Sequence, residues 1–210
     1  MPVRRYIGIS ILAFVIGLII GAASGYLIFS PTDSAAPGSH EAVQSSENLT
    51  ELALRTAQYL KTGDYEALSR LAHPNYGVVF SPRLTVSLRN NRCLSNSDLL
   101  SMGSDSALYV WGSAEGGSIP LELSTEDYFR RYVNDHDYVN AKLIGVGYPV
   151  KTGNSLDNTA EVFPNAQYVE LCYPGTEEND YHDWATLRLV YEELEGAFYL
   201  TAVIHSEYVV

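Results

Sequence analysis

From Ile7 to Phe29 the chain runs 23 residues without a charge. A stretch of that length and apolarity has few places to go. As a helix it spans about 35 Å at 1.5 Å per residue, enough to cross a bilayer with some tilt. Arg4 and Arg5 lie on its short N-terminal side. The positive-inside bias therefore predicts a cytoplasmic N-terminus and a C-terminal domain outside, at the cell surface or in the periplasm. The rival is a cleaved signal peptide, giving a secreted version of the same domain, with Gly21-Ala22-Ala23 as a small-residue cleavage site. The apolar run continues past that site through Phe29, which favours an uncleaved anchor. Gly17, Gly21 and Gly25 fall four apart and share one face of the helix, so the anchor is a candidate for homodimerisation. The competing reading is simpler, because glycine is frequent in membrane helices.

Beyond the run, residues 30–47 read SPTDSAAPGSHEAVQSSE, a flexible tether with no apolar period. The chain thus divides into a short inner tail (1–6), a transmembrane anchor (7–29), a linker (30–47) and an extracytoplasmic domain (48–210). Thirteen Lys/Arg stand against 25 Asp/Glu, for a formal charge of −12. That sign excludes nucleic acid as a partner, because phosphate neutralisation supplies most of such affinity. Cys93 and Cys172 form no Cys-x-x-Cys pair, and no His pair sits four apart, so no metal or other cofactor is expected.

In the outer domain Leu49, Leu52, Ala53, Thr56 and Leu60 keep a helical period, Gly63 ends the helix, and Asp64 caps a second one. His73-Pro74 stops that second helix. Residues 89–106 are polar and irregular and read as an insertion or long connection. Ala107–Trp111 and Ile119–Leu123 flank Glu115-Gly116-Gly117 as a hairpin. Ser124 or Thr125 caps a helix over STEDYFRRYV. Alternating strands follow, the last two joined at Glu195-Gly196. The class is α+β with a mostly antiparallel sheet.

Three stretches, TGDYEALSRLAHP, STEDYFRRYV and GAFYLTAVIHSEY, together with the order of elements, resemble the nuclear transport factor 2-like fold. The resemblance covers roughly Glu47 to Val210. It implies a curved, mostly antiparallel sheet packed by an N-terminal helix pair and one later helix, here preceded by one transmembrane helix. The fold hosts isomerases, dehydratases, binding domains and scaffolds. Its catalytic members use a Tyr, Asp or His inside the cone. No such motif aligns here residue by residue, so none is carried over.

The densest polar cluster is YVNDHDY, with Asp135, His136 and Asp137 adjacent. Neighbours on an extended chain point to opposite sides, so the three are not expected to share one ion. Asp135 and Asp137 sit badly after a helix, because its C-terminal dipole repels negative charge. An Asx-turn, a pairing with Arg83, Arg130 or Arg188, or a ligand site answers that conflict, and Asn134 is read as a left-handed cap. In the last hairpin an even loop puts Leu187 and Leu189 with Leu200, Ala202 and Ile204, and Trp184, Arg188, Glu192, Tyr199, His205 and Glu207 on the more polar face.

The leading expectation is a membrane-anchored, non-enzymatic domain that binds an unknown protein or small ligand, with Asp135, His136, Asp137, Trp184, Arg188 and His205 as interaction candidates. The alternative is a small-molecule lyase, isomerase or hydrolase, drawing an acid–base pair from Asp135, His136 and a pocket tyrosine such as Tyr132.

Overall fold

The computed structural model describes residues 43–44, 48–113 and 119–208, with backbone alone for Val43 and Gln44. The expected anchor and its glycine face, most of the linker, and the Glu115-Gly116-Gly117 turn lie outside the described residues. Among the described residues no helix is long and apolar enough to cross a membrane.

Two capped helices open the domain. The first, α1, spans Leu49–Thr62, with the Asn48 side chain accepting from the Thr50 amide at 3.0 Å. Gly63 closes it in the left-handed region at φ 69°, and Asp64 at once caps α2, Tyr65–Leu71. The chain leaves α2 in extended conformation at Ala72, ahead of His73-Pro74.

Residues 89–106 are more ordered than their composition suggests. They contain strand β3, Arg92–Leu94, and helix α3, Asn96–Ser101. Ser95 and Asp98 form a reciprocal capping box at the start of α3. The Ser-x-x-Asp spacing is the local signal for it, and it outweighs the polar composition.

The main sheet runs β3, β2 (Val78–Ser81), β9 (Ala197–Glu207), β8 (Ala185–Leu194), β7 (Ala166–Tyr173) and β6 (Leu143–Val146). All its pairings are antiparallel except β2 with β9. A short strand, β1 (Val43–Gln44), lies in the expected tether and pairs with Phe198 and Ala197 of β9. Strands β4 (Leu108–Ser113) and β5 (Pro120–Ser124) form a separate hairpin. The hairpin leads into α4, Thr125–Tyr132, capped by the Ser124 hydroxyl, which accepts from the Asp127 amide at 3.1 Å. The architecture is α+β with a mostly antiparallel sheet. A short helix, α5 (Thr159–Val162), interrupts the loop before β7.

Both faces of the sheet are buried. One carries Leu171, Leu187, Leu189, Val203 and Phe80 and packs against α1 and α4. There Trp111 stacks on Tyr128 with ring centroids 3.9 Å apart. The other carries a smaller cluster, including Val79, Val190, Ala202 and Ile204.

The register of β8 on β9 decides which residues reach which face. The Glu195-Gly196 turn has φ of 54° and 81° at its two residues, as a type I′ turn requires. Pairing starts as an even loop predicts, with Leu194 opposite Ala197 and Tyr191 opposite Leu200. A bulge then intervenes: Val190 pairs with Ala202, so Thr201 is an extra residue on β9. One extra residue inverts every facing beyond it. Leu187 therefore lies opposite His205, and Ile204 opposite Arg188. This overturns the expected segregation. His205 joins the main core face, while Ile204 and Ala202 share the other face with Arg188.

Gly77 is a point where only glycine fits. Its φ is +72°, and an added Cβ would lie 2.1 Å from the Leu94 carbonyl oxygen. We expect Gly77→Ala to cost about 2 kcal/mol or more, from left-handed strain plus parting of β2 from β3. A shift of the urea midpoint at unchanged slope checks this.

Candidate functional site

Helix α4 ends at Val133 with φ −121°, and Asn134 is not left-handed. Its amide hydrogen-bonds to the Phe129 carbonyl at 2.7 Å and its side chain donates to the Leu60 carbonyl at 3.2 Å. Asn134 thus ties the end of α4 to α1, and the following turn is set at the edge of the core.

Asp135 turns inward there. Its Oδ2 accepts from His136 Nδ1 at 2.8 Å and from His205 Nε2 at 3.1 Å, and its Oδ1 accepts from the Tyr138 hydroxyl at 3.1 Å. An ionised carboxylate can only accept, so both imidazoles donate. None of these partners is a backbone amide or an arginine, contrary to the turn and arginine pairings weighed above. Burial by itself would raise the Asp135 carboxyl. The hydrogen bonds and charges of His136 and His205 outweigh it and hold the group well below the usual carboxylate range. Tyr138 moves the opposite way: burial, then the Asp135 charge and hydrogen bond, push its phenol far above the ordinary value.

Asp137 faces elsewhere. It pairs with Lys61 at 2.8 Å and accepts from the Asn140 side chain at 2.8 Å, and these bonds lower its carboxyl. The pair is half exposed at the rim and holds the turn to α1. So the DHD triplet splits, with its first two members on one network and the third on another.

A pocket of about 280 Å³ opens at this turn, lined by Ala57, Lys61, Val133 to Val139 and Leu187. His136 has 26% of its side chain exposed, and its ring lies on Tyr173 with centroids 4.2 Å apart. Its Nε2 makes no bond among the described residues, whereas Nδ1 is fixed on Asp135. A histidine held at Nδ1 by a carboxylate with Nε2 turned to a pocket is the geometry an oriented base requires. His205 is 1% exposed, and its buried Nδ1 has no hydrogen-bond partner among the described residues. An unmet buried nitrogen costs roughly 1–3 kcal/mol. Its ring meets Tyr132 edge to face at 5.5 Å. Tyr132 is thus a packing residue behind the cluster, and Tyr138 is the tyrosine that lines the pocket.

Arg188 and Trp184 lie on the opposite face of the sheet from His205. Both are buried. Arg188 Nε and Nη2 reach Glu170 Oε2 at 3.0 and 2.7 Å, and Nη1 reaches Asp157 at 2.6 Å and Thr159 at 2.8 Å. Its guanidinium lies 4.3 Å from the Tyr168 ring centroid. With every donor group engaged, it clamps the 157–159 segment to the sheet and offers nothing to a partner. Cys93 and Cys172 are both free thiols, the first exposed and the second buried. Among the described residues no three His, Cys, Asp or Glu side chains are grouped to hold a metal.

No family model matches the chain, and no curated protein matches it. Among solved structures the chain is similar to a calcium/calmodulin dependent protein kinase II association domain from Xanthomonas campestris. The two are 13% identical over 81% of this chain and 94% of that one, with a TM-score of 0.29. A TM-score of that size does not establish a shared fold.

Proposed function

We propose that residues 48–208 form a small-molecule site in which His136, oriented by Asp135, takes up or returns a proton at Nε2. One observation carries this. A largely buried carboxylate at a pocket is bonded to two imidazoles and a phenol, and among the described residues no arginine or backbone amide donates to it. As Nε2 accepts a proton, Asp135 stabilises the imidazolium through Nδ1–H, and the Tyr138 hydroxyl and His205 hold the carboxylate in place. Such a pair suits proton abstraction or water activation, the steps of isomerases, lyases and hydrolases. We further read the sheet, the helix pair and α4 as a nuclear transport factor 2-like domain, held outside the membrane by Ile7–Phe29. The glycine face of that anchor remains the candidate for a homodimer.

A binding or scaffold role without catalysis has its own support. Leu143 and Val146 on the edge strand β6, and Tyr148 beyond it, are exposed. An unpaired apolar edge is a surface for another chain.

A nitrobenzisoxazole separates the two readings, because its ring opens once a base removes the ring C–H proton: the N–O bond breaks and a cyanophenolate leaves. We expect the domain to accelerate that opening, and His136→Gln to remove the acceleration by about a hundredfold or more. A wild-type rate equal to that of His136→Gln, with the fold intact by circular dichroism, decides for the non-catalytic role.

A further inference from the structure

The second face of the sheet carries a larger cavity, about 420 Å³, lined by Tyr76, Val79, Leu88, Cys93, Glu192 and Thr201 and by residues 162–165. It is independent of the Asp135 pocket. Its floor is Val79 and the bulge residue Thr201. One wall is the turn that follows α5, and the other is Tyr76 with the start of β3. The bulge that turns His205 into the core therefore also shapes this cavity, as bulges beside sites commonly do. The volume lies in the range of about 300–1,000 Å³ typical of small-ligand sites.

The lining chemistry restricts the occupant. Most of the surface is aliphatic or aromatic, and Tyr76 and Leu88 are 55% and 61% exposed. Glu192 is the one charged side chain among the lining residues, and no Lys or Arg lines the cavity. Behind Tyr76, His73 stacks with ring centroids 3.9 Å apart. Burial lowers the His73 imidazole more than the Glu192 charge raises it, and among the described residues Glu192 makes no ion pair. Aromatic faces beside a lone carboxylate favour a cation.

We propose that this cavity binds a monomeric amphiphile with a cationic head, its alkyl chain on Val79, Leu88, Val162 and Phe163 and its ammonium group beside Glu192 and Tyr76. A neutral or anionic lipid-like molecule satisfies the walls but not Glu192.

Cys93 supplies the readout. It lies in the cavity wall, its thiol donates to the Tyr76 carbonyl at 2.9 Å, and the other thiol, Cys172, is buried. Decyltrimethylammonium and decyl sulfate, both below their micellar concentrations, serve as probes of opposite charge with the same chain. Iodoacetamide alkylation of Cys93 in the full chain is followed by mass spectrometry. We expect decyltrimethylammonium to slow alkylation saturably and to raise the thermal midpoint, and decyl sulfate to do neither. Glu192→Gln weakens the protection about three- to tenfold. Asn165→Trp, which fills the cavity from an exposed turn, abolishes it. Weakened protection in Glu192→Gln and lost protection in Asn165→Trp, with unchanged folding, support the site. Equal protection by both heads, protection undiminished in either variant, or none at all overturns the proposal.

Discussion

Arg188→Met is expected to destabilise the domain by about 3–5 kcal/mol, because it strands a carboxylate in the interior. Both side chains of the Arg188–Glu170 pair are 0% exposed. Glu170 does two jobs. Its Oε2 holds the guanidinium, and its Oε1 accepts from the Val150 and Lys151 amides at 2.7 and 3.3 Å. Removing the arginine leaves the first oxygen charged and unpaired, whereas removing the charge as well does not. Adding Glu170→Gln to Arg188→Met keeps an acceptor for the two amides and takes the stranded charge away. Asp157, freed by the same change, is about a third exposed and finds water. The double variant should therefore recover most of the loss, as removal of whole buried ion pairs often does. In a domain of this size the single variant should lower the melting temperature by roughly 10 °C, at about 2–4 °C per kcal/mol. Urea denaturation of both variants gives the comparison. A single variant within 1 kcal/mol of wild type, or a double variant worse than the single, contradicts the clamp.

The same residue shows where sequence reasoning stops. Gly63, Asp64 and Ser124 mark their helix ends in the sequence, because capping depends on residues three or four apart; the Asn48 cap of α1 is seen only in the structure. Ser95 and Asp98 carried the same kind of signal for α3, but it was masked by a polar, irregular composition. The strands from β6 to β9 were legible as alternation. Their facing was not, because the Thr201 bulge sits in an unbroken apolar-rich run, TAVIH, that reads equally well in either register. That one residue sends His205 to the core and moves Ala202 and Ile204 onto the face of the Arg188 clamp. The candidate site depends on it: Asp135 and His205 are 70 positions apart and meet only in the inverted register. What was readable locally was the conflict of two carboxylates with the end of α4. It is resolved in two ways, by imidazoles for Asp135 and by Lys61 for Asp137.

Asp135 offers the sharpest separation of folding from chemistry. Asp135→Ala removes the acceptor of two buried donors, His205 Nε2–H and the Tyr138 hydroxyl. At roughly 1–3 kcal/mol for each stranded group, the expected loss is about 3 kcal/mol. Asp135→Asn keeps an oxygen for Tyr138 and offers an amide to the imidazoles, so it should cost only about 1 kcal/mol at neutral pH. Its effect on acid stability has a definite sign. The Asp135 carboxyl is lowered in the folded state from an ordinary value of 3.8. Its contribution is therefore complete above that value and is lost as pH falls below it. Asp135→Asn should flatten that part of the acid limb in a stability–pH profile, while leaving the neutral plateau nearly in place. The chemical effect runs the other way. An asparagine amide donating to His136 Nδ1 forces the imidazole proton onto Nε2, where the base is needed. Opening of the nitrobenzisoxazole should then fall about a hundredfold or more in a variant that is still folded. An Asp135→Asn protein that keeps wild-type turnover means the carboxylate serves the fold alone. One that loses turnover with its neutral stability intact places Asp135 behind His136 as the group that sets its tautomer.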